Sequence, residues 1–414
     1  MRETVDILVS GGGVAGLAAA AAFGAAGYRV LCVDPVAPVT AQDAPDADLR
    51  TTAFLQPSVA VLQSAGLWDR LAEHAMPLQV MRIIDAGGDT SVARAVHDFD
   101  AADISDQPFG WNLPNWLLRR EFLARLVALP QVDFRPGIGT ARLFTRESEA
   151  LVTLSDGTRV AARLLIAADG RNSPMRQALG IGVRTTRYGQ KALAFIVTHP
   201  EPHHMVSTEI HRSGGPFTLV PLPDRDGRHA SAVVWMEEGT EIARLRALPV
   251  PEFEVAMNAR SCGVLGRLTL ASALTAWPII SQIAERFAGE RTALMAEAAH
   301  VVPPIGAQGL NMSLADLRVL LDLATPEGLG NAAMLDAFHR RRWPEVRLRL
   351  AGVDLLNRAS ILGARPLRDA RAAALRTLYG VAPVRRGLMK LGMGMRQAPT
   401  AQVEQSIQRI ETKR

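Results

Sequence analysis

Cysteine is almost absent from this chain of 414 residues: Cys32 and Cys262 are the only two, and they form no CxxC pair. That excludes a disulfide framework and fits a cytosolic setting. GxSxG, HExxH and P-loop patterns are also missing, which sets aside the hydrolases, zinc peptidases and NTPases that carry them. HPEPHH at His199 to His204 has no usual zinc spacing and no second ligand pair, so it reads as a loop between strands and no metal site is expected. No stretch reads as a membrane span. Ile7 to Tyr28 is uncharged and long enough, but it contains six glycines, four of them at Gly11, Gly12, Gly13 and Gly16. Leu268 to Ala284 is short and interrupted by Pro278. Glu3 and Asp6 stand where a signal peptide needs positive charge, so none is expected.

What is present is an ordinary globular balance, 48% apolar and 21% charged. The length suggests two to three domains and a large core. The net charge of +5 is unevenly spread: Asn331 to Arg414 holds 17 Arg and Lys against 6 Asp and Glu, leaving 29 against 35 in residues 1–330. The basic character therefore belongs to the tail. HRRRW at His339 to Trp343 lacks the interleaved aromatics or known module of a nucleic-acid site, and no nucleic-acid partner is expected.

Near the start, the apolar run Val5 to Ser10 suits a buried parallel strand. GGGVAG follows as Gly11-x-Gly13-x-x-Gly16, then an alanine-rich helix, then YRVLCVD ending at Asp34. Gly11 allows the tight turn, Gly13 lets the backbone approach a pyrophosphate, and Gly16 lets helix and strand pack closely. The helix N-terminus, through Val14 and Ala15, offers free N–H groups and a positive dipole end to the anion. Asp34, 18 residues past Gly16, is placed to accept hydrogen bonds from the adenosine ribose. This motif alone does not separate FAD from NAD.

Two later segments add to it. ARLLIAADGRNSPMRQALGI reads as a strand, a turn at Asp169-Gly170, and a helix with Ser173 and Arg176 at fixed offsets. RTALMAEAAHVVPPIGAQGLNMSLADL reads as a short strand, a turn at Glu297, a proline-rich loop and a helix beginning near Leu310. The GAQGLN loop sets two glycines beside a helix N-terminus, an end suited to negative charge on a reduced isoalloxazine. His300 is expected to be a structural hydrogen-bonding group.

Taken in order, the three segments resemble the class A flavoprotein monooxygenases over almost the whole chain. The resemblance implies an α/β fold: an FAD-binding Rossmann-like domain of the GR2 type, an inserted mixed β-sheet substrate domain and a helical C-terminal tail. The expected FAD domain is discontinuous, residues 1–73, 111–180 and 285–330, with 74–110 and 181–284 forming the substrate domain and 331–414 the helical region. Asp156-Gly157 marks a hairpin between LVTL and RVAARLL.

By the same resemblance Gly11, Gly13 and Gly16 hold the FAD pyrophosphate and Asp34 its adenosine ribose. Arg50 stands near the flavin, Arg120 lies on the helix flanking FAD, and Asp169 serves FAD and the transient NAD(P)H. Pro303, Gly306, Gly309, Leu310 and Asn311 form the loop against the flavin ring. One departure stands out: the family's GDAAH is AEAAH here, with Ala296 for glycine and Glu297 for the aspartate that binds the ribityl chain.

DLRTTAFLQPSVAVLQSAGLWD, AAHVVPPIGAQGLNMSLADL and the arginine-rich C-terminus look like the ubiquinone-biosynthesis hydroxylases. That implies a prenylated phenol as substrate, O2 as co-substrate and a C4a-hydroperoxide on the flavin. No catalytic base stands out. A hydroxylase of a small soluble aromatic stays open, as does a flavoprotein that has lost catalysis and serves as a partner in a biosynthetic complex. In the tail, Leu367, Leu375, Leu378, Val384, Leu388, Met389 and Leu391 alternate with Arg368, Arg371, Arg376, Arg385, Arg386 and Lys390. Such a segment suits peripheral contact with the inner membrane of a cytoplasmic protein, or packing on the FAD domain with solvated arginines.

Overall fold

A computed structural model of the chain describes residues 2–44, 46–87, 92–212, 214–361, 377 and 379–394. The uncharged run from Ile7 lies at its centre. The strand Arg2–Ser10 pairs in parallel with Val30–Asp34 on one side and Arg159–Ala167 on the other. The helix Val14–Ala25 follows directly, and its residues from Gly16 to Gly24 are buried. A strand covered on both faces and a helix enclosed on all sides leave no position for a charge, which is why the run looks like a membrane span.

This first sheet continues in parallel to Val132–Pro136 at one end and Thr292–Leu294 at the other. Ala150–Leu154 runs antiparallel to Arg159–Ala167, turning through Gly157 at φ +88°. The second sheet runs in the order His300–Val301, Thr275–Ala284, Val183–His199, Arg228–Glu238, Pro216–Arg225, Val206–His211, Val80–Asp85, Ala95–Asp100. Its strand His300–Val301 comes from the segment expected in the FAD domain, so the loop after Glu297 is anchored to both sheets. A small sheet of Thr51–Leu55, Met76–Leu78 and Gly110–Pro114 bridges them. Asn112 Nδ2 donates to Pro221 O of the second sheet at 3.0 Å.

Among the described residues beyond 331 lie the helices Ala332–Ile361 and Ala382–Gly392. The tail positions Leu367, Leu375, Leu378, Arg368, Arg371 and Arg376 fall outside the described residues. No helix among the described residues is long and apolar enough to cross a membrane.

Candidate functional site

The three motif glycines do different work. Gly11 has φ +109°, and a Cβ there would stand 2.4 Å from Ala168 O. A Cβ on Gly16 would stand 1.8 Å from Gly11 O. Both positions exclude a side chain because of the protein's own backbone. Gly13 differs, since a Cβ there meets nothing within 4 Å. Gly13 caps the helix Val14–Ala25 without any side-chain hydrogen bond, and Gly13, Val14 and Ala15 line a large cavity. Free N–H groups and the positive helix end therefore face that cavity. Asp34 closes the turn: its carboxylate accepts from Gly12 N at 2.6 Å and Val36 N at 2.8 Å. Gly11, Gly16 and Asp34 are not among the cavity-lining residues.

The proline-rich loop brings a second helix end to the same cavity, through Pro303, Gly306, Gly309 and Leu310. The helix Gln308–Leu323 also starts without a side-chain cap. Asn311 is buried away from the cavity. Its Oδ1 accepts from Leu55 N at 2.9 Å, and its Nδ2 donates to Ala53 O at 2.7 Å and Ala307 O at 2.6 Å, clamping the loop to the small sheet.

The alanine at position 296 leaves its mark on the backbone. Ala296 adopts φ +55°, as does the helix cap Ala307. Left-handed backbone costs an alanine about 1–2 kcal/mol. At Ala296 glycine would relieve this but give up a buried methyl, worth about 0.8 kcal/mol, and add about 0.4–1 kcal/mol of unfolded-chain freedom, so Ala296→Gly is close to neutral. The Ala307 methyl is half-buried, and Ala307→Gly is expected to raise stability by about 0.5 kcal/mol, read as a higher urea midpoint. Glu297 keeps its carboxylate on the cavity wall, 3.2 Å from Arg171 Nε.

Arg50 lines the cavity, with its guanidinium 5.4 Å from the Trp277 ring centroid. Asp48 holds it, accepting from Nε at 2.8 Å and Nη2 at 2.7 Å. The structure does not bring Arg120 to the cavity: its guanidinium sits over Trp116 and donates to Glu121. The neighbouring Arg119 lines the cavity instead and donates to Asp48 at 3.2 Å. One step along a helix turns a side chain by about 100°, so an error of one residue in register exchanges inside for outside. Burial raises the Asp48 carboxyl, but hydrogen bonds from Arg50 and Asn115 and the Arg119 charge outweigh it and hold the group below the usual range.

Asp169 lies at the end of Arg159–Ala167. Its Oδ2 accepts from Met175 N at 3.2 Å, while Oδ1 is buried with no partner in the protein. Burial pushes its carboxyl up, against hydrogen bonds from Ser173 and Met175. Ser173 caps the short helix that follows, and Arg176 beneath it donates to Ala298 O at 2.9 Å.

His300 is held, as expected, in a structural hydrogen bond. Its Nε2 lies 2.6 Å from Asp316 Oδ2, and Arg342 Nε donates to Asp316 Oδ1 at 2.7 Å. Arg342 also donates to Glu345 at 2.6 Å and Met312 O at 3.2 Å. The side chains of His300, Asp316 and Arg342 are at most 1% exposed. Burial favours a neutral Asp316, but the charges of His300 and Arg342 and their hydrogen bonds hold it below the usual carboxylate range.

The cavity measures about 2010 Å³ and is continuous from Gly13 to the two C-terminal helices. The residues present fit a flavin dinucleotide. The backbone is open at Gly13 and two uncapped helix ends share one cavity, while Asp34 and Asp169 stand behind its wall and are not among the residues that line it. Asp48, Arg119, Glu209 and His211 were not foreseen. VSTEIH, with polar residues at every second position of a sheet strand, was the available signal for the last two.

A family model described as "FAD binding domain" matches residues 4–350. Ubiquinone hydroxylase UbiL of Rhodospirillum rubrum is 31% identical over 397 residues, 95% of this chain and 90% of that protein. The 3-demethoxyubiquinol 3-hydroxylase of Escherichia coli is 26% identical over 401 residues, 95% and 100% of the two chains. Among solved structures, p-nitrophenol 4-monooxygenase PnpA from Pseudomonas putida superposes with a TM-score of 0.77 at 19% identity, covering 96% of this chain and 100% of that one.

Proposed function

We propose, from the premise that the chain belongs to the FAD-binding-domain family and is a flavoprotein monooxygenase, that it hydroxylates the ring of a prenylated phenol in ubiquinone biosynthesis, with NAD(P)H and O2. The observation that carries this reading is the length and lining of the cavity. From the helix end at Gln308 it runs between Ala332–Ile361 and Ala382–Gly392, where Leu348, Leu355, Leu356, Leu388 and Leu391 line it. A small phenol needs no such slot, whereas a prenyl tail gains about 25 cal/mol for each Å² of apolar surface it buries there.

When bound, FAD would supply the redox and oxygen-activating chemistry, with NAD(P)H as reductant. The chain's own residues bind, orient and shield. The helix end at Gly13 to Ala15 would hold the pyrophosphate, Asp34 at the end of the second strand would take the ribose, and the helix end at Gln308 would favour negative charge on the ring system. Arg50, set by Asp48 and stacked beside Trp277, marks the edge of the ring site. The apolar wall excludes water from the reacting centre. A cradle of this kind favours catalysis over a purely architectural role.

Purified protein is expected to be yellow, to oxidise NAD(P)H with a polyprenylphenol, and to give a product heavier by one oxygen. A deletion strain should accumulate a quinone precursor lacking one ring hydroxyl, whereas normal ubiquinone in that strain refutes the reading.

The same slot supports contact with an anionic bilayer. Leu355 is 69% and Leu391 66% exposed, and Arg340, Arg341, Arg347, Arg386 and Lys390 lie on the same two helices. Leu355→Glu with Leu391→Glu is expected to abolish flotation with anionic vesicles. It should cut turnover at least tenfold on a long-tailed substrate and leave a tail-less analogue little changed.

A further inference from the structure

The strand Val206–His211 turns Ser207, Glu209 and His211 to one face, and all three line the cavity. Its neighbours present Thr218, Val220, Ala232 and Val234 there. Into this apolar and small-residue wall the sheet sets an acid and an imidazole. His211 Nε2 lies 2.7 Å from Glu209 Oε1, with side chains 13% and 8% exposed. His211 Nδ1 is buried and has no hydrogen-bond partner. His300, the other histidine lining the cavity, is engaged by Asp316.

Burying a carboxylate and leaving a ring nitrogen unpaired each cost stability. A fold retains such a pair where it meets a ligand, and the arrangement matches a base oriented by a carboxylate. We propose that His211 accepts the proton of the substrate's ring hydroxyl, and that Glu209 is its positioning residue. The assignment rests on the prenylated-phenol reading above. The carboxylate of Glu209 takes the hydrogen bond from Nε2–H, which fixes the tautomer and leaves the lone pair on Nδ1. The substrate O–H donates to Nδ1. The O–H bond breaks, an N–H bond forms, and the electron pair stays on the phenolate oxygen. The ring becomes electron-rich at the carbon that takes up oxygen, while Glu209 offsets the imidazolium charge. The proton returns to the hydroxyl or leaves to solvent after the reaction.

The test uses the FAD-loaded enzyme and two substrates, a prenylphenol and its ring-fluorinated counterpart, whose hydroxyl is more acidic. His211→Gln and Glu209→Gln are compared with the unaltered protein for flavin reduction by NAD(P)H, hydroxylated product and released hydrogen peroxide. His211→Gln is expected to keep flavin reduction and lose about 10²–10⁴-fold in hydroxylation of the parent phenol, with peroxide in place of product. On the fluorinated substrate the deficit relative to the unaltered enzyme should shrink at least tenfold. Glu209→Gln keeps the shape, removes the charge, and should show a smaller loss with the same substrate dependence. An equal loss on both substrates, or no loss, overturns the assignment. If the unaltered enzyme reduces its flavin but hydroxylates neither phenol, the substrate reading itself is wrong and the base falls with it.

Discussion

An Asp316→Asn protein is expected to unfold at a clearly lower urea midpoint, having lost about 3 kcal/mol. Breaking a buried ion pair costs about 3–5 kcal/mol because the remaining charge stays buried, and Glu345, still 2.6 Å from Arg342, keeps the loss at the lower end. The m-value should stay constant, which marks a change in stability and not in compactness. Joint replacement, Asp316→Leu with Arg342→Met, should cost less than the two single changes summed, since neither Asp316 nor Arg342 is left buried without the other. The pH dependence has a definite sign. The Asp316 carboxyl is depressed in the folded protein. Its contribution is therefore complete above the ordinary carboxyl pKa of about 4 and fades as pH falls through the lower folded value. Asp316→Asn should flatten that acid limb. Because Ala296 N and His300 both reach Asp316 Oδ2, the variant should also hold FAD less tightly.

The second large effect separates binding from folding at the glycine turn. Gly13→Ala is expected to leave the melting temperature of the FAD-free protein almost unchanged, because the new Cβ meets nothing within 4 Å. Its affinity for FAD should fall about 100-fold, close to 2.7 kcal/mol, because the methyl occupies the approach to the helix end. Gly16→Ala should behave in the opposite way. Its Cβ would overlap Gly11 O at 1.8 Å, so the FAD-free protein itself should be destabilised. Titration of FAD against each apo-protein, alongside its thermal melt, distinguishes the two. Equal behaviour of the two variants would refute this division of labour.

What was legible in the sequence was local. Gly11, Gly13, Gly16 and Asp34 lie within 24 residues, and strand, turn and helix there follow from backbone sterics and periodicity. The same holds for the turn at Asp169-Gly170 and for the loop from Pro303 to Asn311. The first two segments fold much as their residue types require, whereas the third holds Ala307 in a left-handed backbone that its residue type disfavours. Asn311 was expected in the loop against the flavin ring, but it lies in the first turn of the helix Gln308–Leu323, and its partners at Leu55 and Ala53 lie more than 250 positions away, beyond any local pattern.

The tertiary structure alone decided which side chains share the cavity. Arg119 rather than Arg120 faces it because helix phase is set by packing, not by a motif. Glu209 and His211 come to the cavity that Arg50 and Gly13 also line because a sheet of non-consecutive strands carries them there. Asp316 joins His300 to Arg342, and the helices Ala332–Ile361 and Ala382–Gly392 bring Leu348, Leu355, Leu388 and Leu391 to the end of the cavity. Short-range sterics determine how a turn is built. Only long-range packing, which buries one face of each element against distant partners, determines what that turn looks onto.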